Sequence, residues 1–146
     1  MTTILGQNYK KTIGRTPPHM SVEDEIIWNT WKNTNLTDEM DLYFDVGLGD
    51  GIQPPAGIDP DIAEGWIRNT QKRADLIVYT GSDWWIVEFR YNATANAIGR
   101  LLLYEMLFIE DLPKDQPITL ILATNRYDKD IKKLCDKYRI QYDANG

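Results

Sequence analysis

The chain has 146 residues, 42% of them hydrophobic and 26% charged, with a net charge of −6. That length suits one domain with a real core. A single cysteine excludes an internal disulfide, and no run approaches the roughly 20 apolar residues of a membrane span. The charge is uneven: residues 1–20 carry Lys10, Lys11 and Arg15 and no acid, which leaves 13 basic against 22 acidic residues in the body, a net of −9. Such a body is a poor general platform for a phosphate backbone, which is held by basic clusters. No signal-peptide pattern opens the sequence, so the expected location is inside a cell or within a particle assembled there.

Residues 1–20 form a polar arm with Gly6, Gly14, Pro17 and Pro18 and no sustained periodicity. An arm of this kind gains order by binding, so it is expected to contact the body or a neighbouring subunit. Ser21 is a helix N-cap followed by acids at 23–25, and the helix is predicted to run to about Lys32 with Val22, Ile26, Ile27, Trp28 and Trp31. Residues 41–47 read as a strand. The stretch 47–60 is rich in glycine and proline. Its Gly-Leu-Gly-Asp-Gly lacks the Gly-Lys-Ser/Thr ending of a phosphate loop, and Asp50 would repel phosphate. A short helix over 61–71 carries Trp66.

Residues 74–80 and 83–89 are β-branched and aromatic and flank Gly81-Ser82, which predicts a hairpin with a two-residue turn. Residues 93–109 are apolar over most of their circumference and predict a largely buried central helix. Pro113 and Pro117 frame its exit loop. Residues 118–124 are nearly continuously apolar, as in a strand covered on both faces. Residues 128–138 predict an amphipathic helix with Ile131, Leu134 and Cys135 inward, and 140–142 a last edge strand. The order gives an α/β fold, a mixed central β-sheet flanked by helices, in a single domain over 21–146.

The hairpin carries the chemistry. Counting outward from its turn, Tyr79 faces Trp84, Ile77 faces Ile86 and Asp75 faces Glu88. Opposed residues share a sheet face with Cβ atoms only about 5 Å apart, and like charges there are destabilising. Either a bound cation or neighbouring positive side chains must compensate. Extending the register puts Arg73 opposite Arg90 on the same face, so two arginines and two acids alternate across the hairpin, with Arg100 approaching from the following helix. A cluster of this composition can neutralise itself without metal.

Asp75, twelve residues, Glu88-Phe89-Arg90 and a helix bearing Gly-Arg-Leu-Leu-Leu-Tyr together resemble the PD-(D/E)XK nuclease-like superfamily over residues 60–142, with the first helix serving as that family's N-terminal helix. The resemblance implies a restriction-endonuclease-like core in which Asp75 and Glu88 are the metal ligands, usually for magnesium, and Arg90 stands at the position of a catalytic lysine. Guanidinium keeps the charge of lysine but cannot act as a base. Many related nucleases carry glutamine four residues before the helix tyrosine; here Arg100 precedes Tyr104, and the two share a helix face. By resemblance, then, the catalytic set is Asp75, Glu88, Arg90, Arg100 and Tyr104. The chain is also similar to small members encoded by tailed bacteriophages. That similarity implies a structural component of a virion, near the neck or tail, with an altered site and no cofactor. Its partners would be further copies of itself or other virion proteins, engaged through arm 1–20. The alternative is an active magnesium-dependent DNA endo- or exonuclease, with DNA as partner. Neither reading calls for a membrane.

The remaining candidates read as ordinary structure. Glu25 is the expected further acid from the first helix, set against a solvated first-turn role. His19 is the only histidine and has no second histidine or cysteine pair for zinc. Cys135 falls on an inward helix face and reads as core rather than nucleophile. Trp84 and Trp85 send one ring to each side of the hairpin. The five tryptophans read as core or interface aromatics.

Overall fold

The computed structural model describes residue 3, residues 5–9, residues 20–112 and residues 115–144. Lys10, Lys11, Arg15, His19 and Pro113 lie outside them, and with them most of the expected arm. The elements are α1 (Val22–Asn35), β1 (Asp41–Leu48), α2 (Pro60–Thr70), β2 (Lys72–Tyr79), β3 (Trp84–Arg90), α3 (Ala95–Ile109), β4 (Ile118–Thr124), α4 (Lys129–Lys137) and β5 (Ile140–Ala144). The strands form one mixed sheet in sequence order. β1, β2 and β3 are antiparallel neighbours, while β3–β4 and β4–β5 are parallel. Each parallel pair is joined through a helix, α3 or α4, as a crossover requires. No helix among the described residues is long and apolar enough to cross a membrane.

Two cores follow from the alternation of side chains across the sheet. On one face α1 packs Ile27, Trp28 and Trp31 against Leu42, Leu76, Val87, Phe89 and Ile121. Trp28 and Trp31 both meet the Phe89 ring edge-on, with centroids 5.6 and 5.3 Å away. On the other face α3 and α4 cover Ile77, Ile86, Leu120 and Leu122, with Cys135 fully buried. Trp84 joins this second core and Trp85 the first, one ring to each side. At the hairpin turn Gly81 takes φ +105, the glycine-favoured conformation that a two-residue turn needs. The expected pairs Tyr79–Trp84 and Ile77–Ile86 both form.

Three expectations about burial differ. Val22 and Ile26 are 75% and 64% exposed because the inward stripe of α1 runs through positions 27, 28 and 31 instead. α3 is not buried all round: the sheet covers the stripe of Ala97, Ile98, Leu101, Tyr104 and Phe108, whereas Met106 and Ile109 are more than half exposed. α2 buries none of its residues, and Trp66 is 41% exposed.

The described part of the arm lies along the body. Tyr9 exchanges two backbone hydrogen bonds of 2.8 Å with Leu42, extending the sheet beside β1, and its ring packs 5.5 Å from Phe44. Leu5 rests against the α3-side core, and the Thr3 N–H donates to Asp111 at 2.9 Å. A flanking segment of this kind covers an otherwise open sheet edge.

Candidate functional site

The site forms where the regular alternation of the sheet breaks. β1 and β2 pair at Phe44–Leu76 and again at Val46–Ala74, but the ladder skips the intervening Asp45 and Asp75. Asp45 sits at φ +50, a backbone region rare for any residue but glycine and least costly for Asn and Asp. The face each strand presents switches there. Phe44 and Leu76 belong to the α1-side core, whereas Val46, Leu48 and Ala74 belong to the α3-side core.

The β2–β3 ladder also ends at Leu76–Val87, so the strands part just where Asp75 and Glu88 would pair next. Asp75 Oδ2 fills the gap by accepting the Phe89 N–H at 3.0 Å. That N–H would otherwise be a buried donor without a partner. The two acids do come together, since Asp75 and Glu88 are hydrogen-bonded carboxyl to carboxyl. Glu88 is 1% exposed. Burial first, and the Asp75 charge second, push its pKa up to about 8, so at neutral pH the pair holds one proton between them. Burial likewise raises the Asp75 carboxyl above its ordinary range.

The compensation for this pair is an ion network centred on Arg90. Its Nη2 donates to Glu88 Oε2 at 2.6 Å, a charge-assisted contact, and its Nη1 lies 3.9 Å from Asp24 Oδ2. Half-burial works against the Arg90 charge, but Glu88, Asp75 and Asp24 outweigh it and raise its pKa. Arg100 Nη1 stands 4.0 Å from Glu88 Oε2, and its charge also acts on Tyr104 one turn along α3. Burial, with the nearby Glu88, pushes the Tyr104 hydroxyl up to about 12, so it stays neutral. All five residues of the expected set, Asp75, Glu88, Arg90, Arg100 and Tyr104, therefore meet in one place.

Two expected members do not join. Arg73 cannot oppose Arg90, because β2 and β3 have separated and β2 has changed face. Its guanidinium turns instead to Asp45 Oδ2 at 3.6 Å and to the Arg68 carbonyl at 2.8 Å, capping the end of α2. From α1 the contributing acid is Asp24, not Glu25. Asp24 Oδ1 also accepts the Tyr91 N–H at 2.7 Å, tying the first turn of α1 to the end of β3. Its signal was present in the sequence, since Asp24 lies three, four and seven residues before Ile27, Trp28 and Trp31 and so on their stripe.

These groups line an open cleft of about 490 Å³ that includes Asp45, Asp75, Arg73, Arg90 and Arg100. Hard carboxylate oxygens at Asp75 and Glu88 are the right donor type for a divalent cation. As arranged they do not fit one. The Arg90 guanidinium already engages Glu88 Oε2, the pair retains a proton, and no group of three or more acidic, histidine or cysteine side chains suited to a metal forms among the described residues. The constellation can bind and orient polar groups through its arginines. Comparisons with protein-family models, curated proteins and solved structures gave no match.

Proposed function

We propose that this protein is a nuclease-fold chain of the PD-(D/E)XK kind whose metal site has become an internal ion network. In this reading it serves as a structural component of a larger assembly, a tailed-bacteriophage virion in the region of the neck or tail. The observation that carries the loss of catalysis is the 2.6 Å contact from Arg90 Nη2 to Glu88 Oε2. A positive side chain seated on the buried acid takes the electrostatic place of a cation. It cannot relay a proton to an attacking water.

The order α1, three antiparallel strands, α3 and a parallel β4, with Asp75 on the second strand and Glu88-x-Arg90 on the third, supports the ancestry. The structural role is supported by the acidic body and by the arginines at positions 90 and 100, where the resemblance calls for lysine and glutamine.

Two measurements test this reading. Titration of the full chain with Mn²⁺ by calorimetry should show no binding, and incubation with single- and double-stranded DNA plus Mn²⁺ or Mg²⁺ should show no cleavage. Metal-dependent cleavage that disappears in Asp75→Ala would overturn it in favour of an active nuclease. Native mass spectrometry should reveal a closed oligomer, or co-assembly with other virion proteins. A strictly monomeric protein under all conditions would remove the assembly role.

A further inference from the structure

Beside the cleft described above lies a second cavity of about 410 Å³, between the start of β2 and the outer face of α3. Its charged lining is wholly cationic, namely Lys72, Arg73 and Arg100, with Leu103 from α3. Lys72 is exposed, and the Arg73 and Arg100 side chains, although they also contact Asp45 and Glu88, remain 39% and 56% exposed. Lys72 and Leu103 are shared with a smaller cavity of about 180 Å³ lined by Leu48, Leu107 and the loop from Gly49 to Ile52. Arg100, Leu103 and Leu107 follow one another on one face of α3. The two cavities thus form one groove, cationic at one end and aliphatic at the other.

We propose that this groove docks an acidic, aliphatic peptide segment of a partner protein, with carboxylates at Lys72, Arg73 and Arg100 and an aliphatic side chain between Leu103 and Leu107. Charge complementarity selects the acidic segment. Two features favour a peptide over a nucleic-acid strand. The apolar end is leucine rather than an aromatic platform, and the nearby Tyr104 is only 3% exposed, so no ring face is offered to a base. Acids also bound the groove at both ends, Asp50 at the aliphatic end and Asp45, Asp75 and Asp24 in the adjoining cleft. A phosphate backbone running through would meet them, whereas a short segment confines its charge to the middle. The groove shares Arg73 and Arg100 with the adjoining cleft but is not lined by Asp75 or Glu88, so the metal and cleavage assays test a different property.

The test is fluorescence anisotropy on the full chain with a labelled peptide of Leu-Glu-Glu repeats. Its counterpart with glutamine for glutamate and an oligothymidylate serve as comparison probes. Expected is salt-sensitive binding of the acidic peptide alone, about tenfold weaker in Lys72→Glu and retained in Lys72→Arg. Leu107→Ser, which leaves the cations in place, should also weaken it. No binding, equal binding of the glutamine peptide, or an unchanged affinity in Lys72→Glu overturns the proposal. Preference for the oligothymidylate overturns it in favour of a nucleic-acid groove. Lys72 is exposed on the first residue of β2, so its substitution tests the groove without disturbing the core.

Discussion

Asp75 holds the backbone N–H of Phe89 at 3.0 Å at the point where the β2–β3 ladder has stopped, so one carboxylate repairs the sheet and also faces Glu88. The two duties separate by mutation. Asp75→Ala leaves a buried N–H unpaired and should cost about 1–3 kcal/mol in urea unfolding. Asp75→Asn keeps an acceptor for Phe89 and supplies a donor to Glu88, so it should cost clearly less. It should also lower the Glu88 pKa, readable by ¹³C NMR of the side-chain carboxyl. Equal destabilisation by Asn and Ala would show that the Phe89 contact is not what holds the strands at this point.

Glu88 makes stability depend on pH with a definite sign. Its folded pKa, about 8, lies above the ordinary glutamate value of 4.5, so between these values the folded state keeps a proton that the unfolded chain releases. Its contribution is therefore fully present below about pH 4.5, declines as pH rises, and is lost above about pH 8. Glu88→Gln removes this titration. The stability of the variant minus that of wild type should rise steadily from about pH 5 to pH 8 and then level off. A difference flat with pH would mean that the acid is ionised throughout, neutralised by Arg90 alone.

Much of this arrangement is legible in the sequence. The hairpin register came from Gly81-Ser82 and two runs of alternating side chains, and it was correct as far as Leu76–Val87. Beyond that point counting residues fails, because a strand that changes face at Asp45 and Asp75 carries no sequence mark of doing so. Arg73 was misplaced for that reason. Asp24 is a different case. Helical phase puts it on the Trp28–Trp31 stripe, whereas Glu25, the acid expected from this helix, is out of phase with that stripe. The exposure of α2 was also hidden. That helix carries Trp66, expected as a core or interface aromatic, yet none of its residues is buried.

Trp31 links α1 to the far edge of the sheet. Its Nε1–H donates to Asp143 Oδ2 at 2.8 Å, while the ring is 1% exposed against Phe89. Trp31→Phe keeps most of the packing and loses that bond, with an expected cost of about 1 kcal/mol plus a small cavity term. The signature that separates it from general destabilisation is local. Amide exchange should accelerate at Ile140–Ala144, which pairs with β4 alone, more than in β2 or β3. Uniform acceleration across the sheet would show that the indole N–H does not tether β5.

Gly51 and Gly57 provide a matched pair in the loop that leads to α2. Both have positive φ, +70 and +85, so alanine at either position meets the same backbone penalty, about 1–2 kcal/mol. Their surroundings differ. A Cβ on Gly51 would lie 2.5 Å from the Ile67 carbonyl oxygen and 2.9 Å from Thr70 Oγ1, while one on Gly57 would meet nothing within 4 Å. The Ile67 carbonyl is main chain of α2, and Thr70 Oγ1 is fixed by the Ile52 N–H at 2.7 Å, so neither can swing aside. Gly51→Ala must push the loop away from α2 and break the Thr70–Ile52 bond. Thermal unfolding should therefore show Gly51→Ala losing distinctly more stability than Gly57→Ala, by about a further 1 kcal/mol from the lost hydrogen bond alone. Because Gly49–Ile52 also lines the aliphatic end of the Lys72 groove, Gly51→Ala should weaken binding of the Leu-Glu-Glu peptide, and Gly57→Ala should leave it unchanged.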